Sequence, residues 1–473
     1  MGSDYHQWNS NVAEATAAQD VTAREDHLER RLSPRQVSMI ALGGAIGTGF
    51  FLGSGVSVRL AGPGVILAYL AAGCIALVIA LALAEMAVAH PVAGAFGVHA
   101  EIYLHPWAGF TARYSYWLGQ TIAIGSEVVA AAIYCGFWFP RVPGWLWVIV
   151  FSLGLLTINA WSVASFGEFE YWFALIKVAT IALFLVLGAA MILGVGPFQP
   201  VGFGNYTHHG GFLPSGAAGV LLAMGIVTFS FFGVEEVSIT AGETRDPARS
   251  IPRATRSVFW RLGLFYIGGI ALLVGLVPWT EVGLDASPFV RAFQAVGLKA
   301  APTIMNFVVL SAALSSANTN FYLTSRMLYS LARGGHAPAR LGLLTRRGIP
   351  LWALAASSGG MAVAVVAQRY FPQRAYLSLV GASFFGGLFV WILILVTHLR
   401  FRSAHAHGTR QDLGTNAFTA LLPGFPYINW LALAGLGVVG ISTWFVPGMR
   451  STILAGLPWL GFVTLGYYLW HRR

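Results

Sequence analysis

The sequence predicts an all-α integral membrane protein of twelve transmembrane helices, and three observations carry that expectation. Of its 473 residues, 56% are hydrophobic and only 10% are charged, a balance far from that of a soluble domain. Apolar runs of about 18 residues or more, enough to cross a hydrocarbon core, recur from one end of the chain to the other. Basic residues gather between those runs, chiefly at every second gap.

In order, the runs are 37–60, 64–90, 107–139, 144–163, 168–195, 217–241, 257–279, 301–332, 351–368, 375–400, 424–446 and 452–471. Residues 1–36, ending in VTAREDHLERRLSPRQ, are polar and mixed in charge and lack the pattern of a cleaved signal peptide. They read as a cytoplasmic tail, 401–423 as a cytoplasmic loop, and 424–473 as the last two helices with a short cytoplasmic end. If the runs alternate in direction, twenty basic residues fall on the side of the N-terminus and seven on the other. That asymmetry puts both termini in the cytoplasm of a cell membrane. It also explains the formal charge of +10, whose partners are then the headgroups of the lipid bilayer and not nucleic acid.

Several chemistries are excluded by what is missing. Cys74 and Cys135 both lie in apolar runs, so neither a disulfide framework nor a metal cluster can be built from them. The twelve histidines show no zinc-hydrolase spacing, and there is no P-loop or dinucleotide fingerprint. The expectation is a protein without a cofactor or a bound metal that is not an enzyme.

The first run contains ALGGAIGTGFFLGSG, residues 41–55, with six glycines in fifteen positions. Each interior glycine costs a helix about 0.8–1 kcal/mol relative to alanine. Two readings stand: close packing of small residues against a neighbouring helix, and a break in the helix, which hydrocarbon tolerates only where the backbone lines a cavity. A second interrupted run, VTFSFFGVEEVSITAGE at 227–243, sets Gly233 just before Glu235 and Glu236. Broken helices in two corresponding halves point to a transporter site near the midplane. There, freed amides of run 1 hold an anion and freed carbonyls of run 6 hold an ammonium. The pair describes a pocket for a zwitterion.

Glu127, Lys177, Glu235 and Glu236 sit deep inside apolar runs, away from the ends where other charges fall. An intramembrane charge is a functional hypothesis by default. Each also has a structural alternative: a salt bridge for Glu127, a packed stem with its head on carbonyls for Lys177, and hydrogen bonds that hold a broken helix for Glu235. Adjacent helix positions point about 100° apart, so Glu235 and Glu236 cannot face one pocket equally. If Glu236 faces it, a cationic amino acid side chain becomes a credible substrate. GETRDPARSIPRATR, residues 242–256, reads as a solvated loop in which Pro247 and Pro252 stop a helix.

The blocks MIALGGAIGTGFFLGSG, AGPGVILAYLAAG, PVAGAF, EFEYWFALIKV, GGFLP, FSFFGVEEVSITAGETRDPARSIPRA and SRMLYSLARGGHAP, in this order, resemble the bacterial amino acid permeases of the amino acid-polyamine-organocation superfamily. The resemblance implies a leucine-transporter-like core over 37–400, two inverted five-helix repeats, followed by two further helices. It implies a permease that moves an α-amino acid by proton symport with alternating access, or an exchanger of a cationic amino acid for a related amine. A sensor that binds an amino acid and moves it poorly is a further alternative. Gly44, Ala45, Gly47, Thr48 and Gly49 then meet the substrate carboxylate and part of its ammonium. Phe229 and Phe232 offer carbonyls to the ammonium, with Phe229 as an aromatic gate, and Asn318 matches a position facing the cavity. Lys177 matches a position near a cation site of ion-coupled relatives, and Glu235 one just below the substrate; with Glu127 and Glu236 they are the candidates for coupling or gating.

Overall fold

The computed structural model describes residues 46–91, 95–161, 164–235, 247–295, 300–406 and 420–470. Among these residues helices and turns make up all the regular structure. A π-helical turn, Gly49–Gly53, leads into α1 (Ser54–Ala61). The helix stops at Gly62, which takes φ 60°, a value that a residue with a side chain adopts only under strain. The chain turns there into α2 (Val65–Ala89). Short α3 (Ala95–Tyr103) precedes α4 (Pro106–Gly136). Pro106 occupies the first helical position, where no amide is needed, and the His105 ring accepts the Trp107 amide at 3.1 Å.

Next come α5 (Gly144–Trp161), α6 (Ala164–Leu193) and α7 (Gly216–Phe229). They are followed by α8 (Pro247–Gly263), a π turn at Leu264–Gly268, α9 (Gly269–Leu276) and α10 (Pro288–Ala295). The chain then forms α11 (Ala301–Arg333), α12 (Leu351–Ser357), α13 (Gly359–Tyr370), α14 (Pro372–Ala406), α15 (Tyr427–Phe445) and α16 (Ser451–Trp470).

Among the described residues eight stretches are long and apolar enough to cross a bilayer: Gly49–Ala89, Pro106–Gly136, Gly144–Trp161, Trp172–Leu193, Leu351–Tyr370, Pro372–His405, Tyr427–Phe445 and Ser451–Trp470. The first of them contains two of the twelve expected runs, and Gly216–Phe229 and Leu264–Leu276 are apolar but shorter. Helix α11 differs in composition, because it buries Asn306, Ser311, Ser315, Ser316, Asn318, Thr319 and Asn320. Polar residues carried inward in this way mark a helix that faces the protein interior and not lipid.

Helix α4 is the central post, with α11, α13 and α14 packed on it. A Cβ at Gly119 would stand 3.0 Å from the Ser383 carbonyl oxygen and 3.1 Å from Gly386 Cα, so α4 and α14 meet backbone against backbone. This close approach makes α4 a rigid mount for the side chains described below.

One expectation is corrected. Residues 247–256 were expected as a loop, yet they form the first turns of α8, with Pro252 inside the helix. Pro247 stands where the amide is free in any case, and Pro252 forgoes a single backbone bond near the start. The helix is amphipathic: Ile251, Ala254 and Thr255 are buried while Arg249 and Arg253, four apart, lie on another face. Packing of the buried face against α2 outweighs the proline, which is why local punctuation misled.

At the far end of α2, Glu85 is buried and ties three segments together. It accepts hydrogen bonds from Arg402 Nε and Nη2 at 2.8 and 2.6 Å, from His398 Nε2 at 2.7 Å, and from the Leu421 and Leu422 amides at 2.6 and 2.5 Å. Such a carboxylate is structural, since every lone pair has a donor.

Candidate functional site

The site forms where α1 begins, where α7 stops, and where α4, α11 and α14 face both. At its centre the Thr48 amide donates to both carboxylate oxygens of Glu127, at 3.3 and 3.2 Å. Ser316 Oγ donates to Glu127 Oε1 at 3.3 Å, and the Tyr376 hydroxyl donates to the Thr48 carbonyl at 3.0 Å. The amide of a helix's first turn lacks an intrahelical acceptor, and a carboxylate suits both the unpaired N–H and the positive end of the helix dipole. Glu127 therefore caps, from another helix, the π-helical turn that leads into α1.

Glycine at position 47 makes room for this contact. A Cβ there would lie 2.7 Å from Glu127 Oε1 and 2.8 Å from Ser316 Oγ. At Gly49 a Cβ would meet Phe229 Cδ1 and Ser230 Cα, each at 3.0 Å. The glycines thus serve close approach, and the turn they lead into is π-helical, a form that recurs at functional sites.

Helix α7 ends at Phe229, and Ser230–Glu235 continue as turns in which the amides of Ser230, Phe231 and Phe232 bond back to carbonyls three residues earlier. Gly233 takes φ 107°, a conformation that favours glycine. Its amide donates to Glu235 Oε2 at 3.1 Å, and the Trp391 indole donates to the same oxygen at 3.3 Å. Phe232 lies parallel to Phe384 with centroids 5.2 Å apart and stands edge-on to Trp391 at 4.9 Å. Phe229 contacts Phe232 at a centroid distance of 5.9 Å.

Gly47, Gly49, Glu127, Phe229 and Phe232 all line one cavity of about 30 Å³. Thr48 is buried directly behind its wall. Lys177, on α6, is fully buried and within electrostatic reach of Glu127. Glu235 is buried but does not line the cavity; it holds the turn below Phe232. Gly44, Ala45 and Glu236 lie outside the described residues.

Asn318 stands outside the cavity lining. The sequence expectation put it on the cavity, yet its Oδ1 accepts the Asn159 amide at 2.7 Å, and it is Ser316 and Asn320 that line the space. On a helix, positions four apart lie about 40° from each other, while the residue midway between them points away. Asn318 joins α11 to α5.

Several site residues escaped the sequence reading. Tyr116, Gly119, Gln120 and Ala123 line the cavity with Glu127, and their spacing is one stripe of α4. Helical periodicity counted back from Glu127 would have found them. Tyr376, Trp391 and Ser383 come from α14, and no local signal marks them.

The chain is similar to known proteins along nearly its whole length. The family described as "Amino acid permease" matches residues 36–473. A γ-aminobutyric acid permease of Bacillus subtilis (strain 168) is 40% identical over 447 residues, 94% of each chain. An aromatic amino acid transport protein of Escherichia coli (strain K12) is 38% identical over 443 residues, 93% of this chain and 95% of its own. A probable threonine/serine transporter of Bacillus subtilis (strain 168) is 38% identical over 444 residues, with the same coverage.

Proposed function

Since this chain belongs to the amino acid permease family, a family of multi-pass membrane transporters and not of enzymes, we propose that it carries an α-amino acid across the cytoplasmic membrane by proton symport with alternating access. In this reading the core over 37–400 consists of two inverted five-helix repeats, both termini are cytoplasmic, and the substrate sits between the start of α1 and the end of α7. The observation that carries it is the Glu127 carboxylate on the Thr48 amide beside a cavity at the end of α7. An amide at a helix start binds a carboxylate, so the substrate's own carboxylate competes there with Glu127, drawing also on the amides of Gly44, Ala45, Gly47 and Gly49. Glu127, so released, pairs with the substrate ammonium, together with carbonyls near Phe229 and Phe232. Lys177 and Glu127 then form the pair that exchanges a proton as the substrate enters and leaves, with Glu235 holding the turn that must move.

Uptake of labelled amino acids into proteoliposomes tests this, under an inward proton gradient, an inward sodium gradient, or neither. Accumulation driven by protons, and its loss in Lys177→Ala, are the expected results. Accumulation that follows sodium, or exchange that requires preloaded vesicles, overturns the proton mechanism and leaves the family assignment in place.

A further inference from the structure

We infer that this permease selects amino acids whose side chain ends in an uncharged hydrogen-bonding group, a hydroxyl or a carboxamide, and that Gln120 and Asn320 are the residues that read it. The inference rests on the proposed transport of α-amino acids and names the substrate class within it.

Both side chains line the cavity and both are more than nine-tenths buried, with 9% of Gln120 and 7% of Asn320 exposed. Neither amide is hydrogen-bonded to another described residue, so the donors and acceptors of both are left for what enters the cavity. The contrast with Asn318, two positions away on another face of the same helix and paired to Asn159 at 2.7 Å, shows that α11 can satisfy an amide when the fold requires it. Gln120 and Asn320 point instead into the space a substrate occupies.

Their placement sets the reach of the side chain they read. Asn320 lies one helical turn beyond Ser316, about 6 Å along the axis, and Gln120 lies about 10 Å along α4 from Glu127. An amino acid held at Thr48, Glu127 and Ser316 therefore presents a side chain of about two to four heavy atoms to the two amides. The wall between is small at Gly119 and Ala123. Phe232 fills the gap left by the missing Cβ of Gly387, and its ring is part of the cavity wall.

Charge argues in the same direction. Among the described residues that line the cavity, Glu127 is the only one with a carboxylate or a cationic side chain, and it faces the amino acid backbone. A cationic or anionic side-chain tip would be desolvated between two neutral amides, a heavy cost without an opposite charge. A hydroxyl or carboxamide finds donors and acceptors on both. An apolar isostere leaves both amides unpaired, and sites built to bond a polar group reject such analogues strongly.

The test is competition against uptake of labelled serine in proteoliposomes, by threonine with its isostere valine, by glutamine with its near-isostere methionine, and by lysine, glutamate and phenylalanine. Expected are a preference of at least tenfold for threonine over valine and for glutamine over methionine, and a drop of at least fivefold in both ratios in Q120L and N320L. If the variants fail to fold, the ratios of the unaltered protein decide alone. Equal competition by the isosteres, ratios unchanged in folded variants, or lysine or phenylalanine as best competitor overturns the inference and leaves amino acid transport standing. No uptake of any amino acid, serine included, overturns the transport reading and this one with it.

Discussion

Thr48 and Glu127 are 79 residues apart in the chain, yet the amide of the first meets the carboxylate of the second at 3.2 Å. The contact joins the π turn before α1 to the last third of α4, and so links the segment that opens the site to the post on which the bundle is mounted. A change on either side is felt at the other.

Gly47→Ala tests that joint directly. The added methyl would stand 2.7 Å from Glu127 Oε1 and 2.8 Å from Ser316 Oγ, so the carboxylate must leave the Thr48 amide. Loss of a hydrogen bond to a charged group costs roughly 1.5–3 kcal/mol, and the uptake rate is expected to fall at least tenfold. Initial-rate uptake by a variant with an unchanged size-exclusion profile is the check; normal kinetics would remove Glu127 from the site.

Tyr376→Phe removes the hydroxyl that donates to the Thr48 carbonyl at 3.0 Å. A neutral hydrogen bond is worth roughly 0.5–1.5 kcal/mol, so the expected effect is a rise in KM or a loss in rate of about two- to tenfold, with little change in thermal stability. A large fall in melting temperature with normal kinetics would assign Tyr376 a packing role.

Glu85→Gln is expected to act on stability and not on substrate recognition. It leaves Arg402 and the Leu421 and Leu422 amides short of the carboxylate they now share. Breaking a buried pair in this way costs about 3–5 kcal/mol. Thermal unfolding in detergent should fall steeply, and hydrogen exchange at Leu421 and Leu422 should quicken; unaltered exchange there would contradict the cluster.

His99, on α3 outside the membrane-crossing stretches, makes acid destabilising. Burial pushes its pKa down from 6.5 to about 4, against a weaker upward pull from the His90 carbonyl that its Nε2 donates to at 3.2 Å. The folded pKa lies below the unfolded one, so the unfolded chain binds more protons between them, and stability is present above about pH 6.5 and lost as pH falls toward 4. At pH 5 the deficit is about 2 kcal/mol relative to pH 7. Thermal melts of His99→Gln beside the unaltered protein, at both pH values, should differ in slope; parallel curves would show that other groups carry the acid sensitivity.

By itself the sequence determined the class of protein and the residues worth watching. Apolar runs must meet hydrocarbon, and a charge placed within one is costly enough to need a reason; Glu127, Lys177 and Glu235 were legible on that ground alone. So was the interruption after Phe229, because Gly233 and two carboxylates do not belong in an ordinary span. For the first run the sequence allows both a helix break and small-residue packing, and at Gly47 and Gly49 side-chain atoms from other segments stand within 3.0 Å of where a Cβ would be.

Only the tertiary structure decided which partner each of these residues has. Periodicity gives the spacing of a helix face but not its phase, so Ser316 and Asn320 could be told from Asn318 only once α11 was packed against α4. Tyr376 and Trp391 reach the site from more than 150 residues beyond the groups they contact, and no local pattern encodes such a meeting. The persistence of α8 through Pro252 has the same origin: local preferences are worth a few kcal/mol at most, and burial of one face against another helix outweighs them.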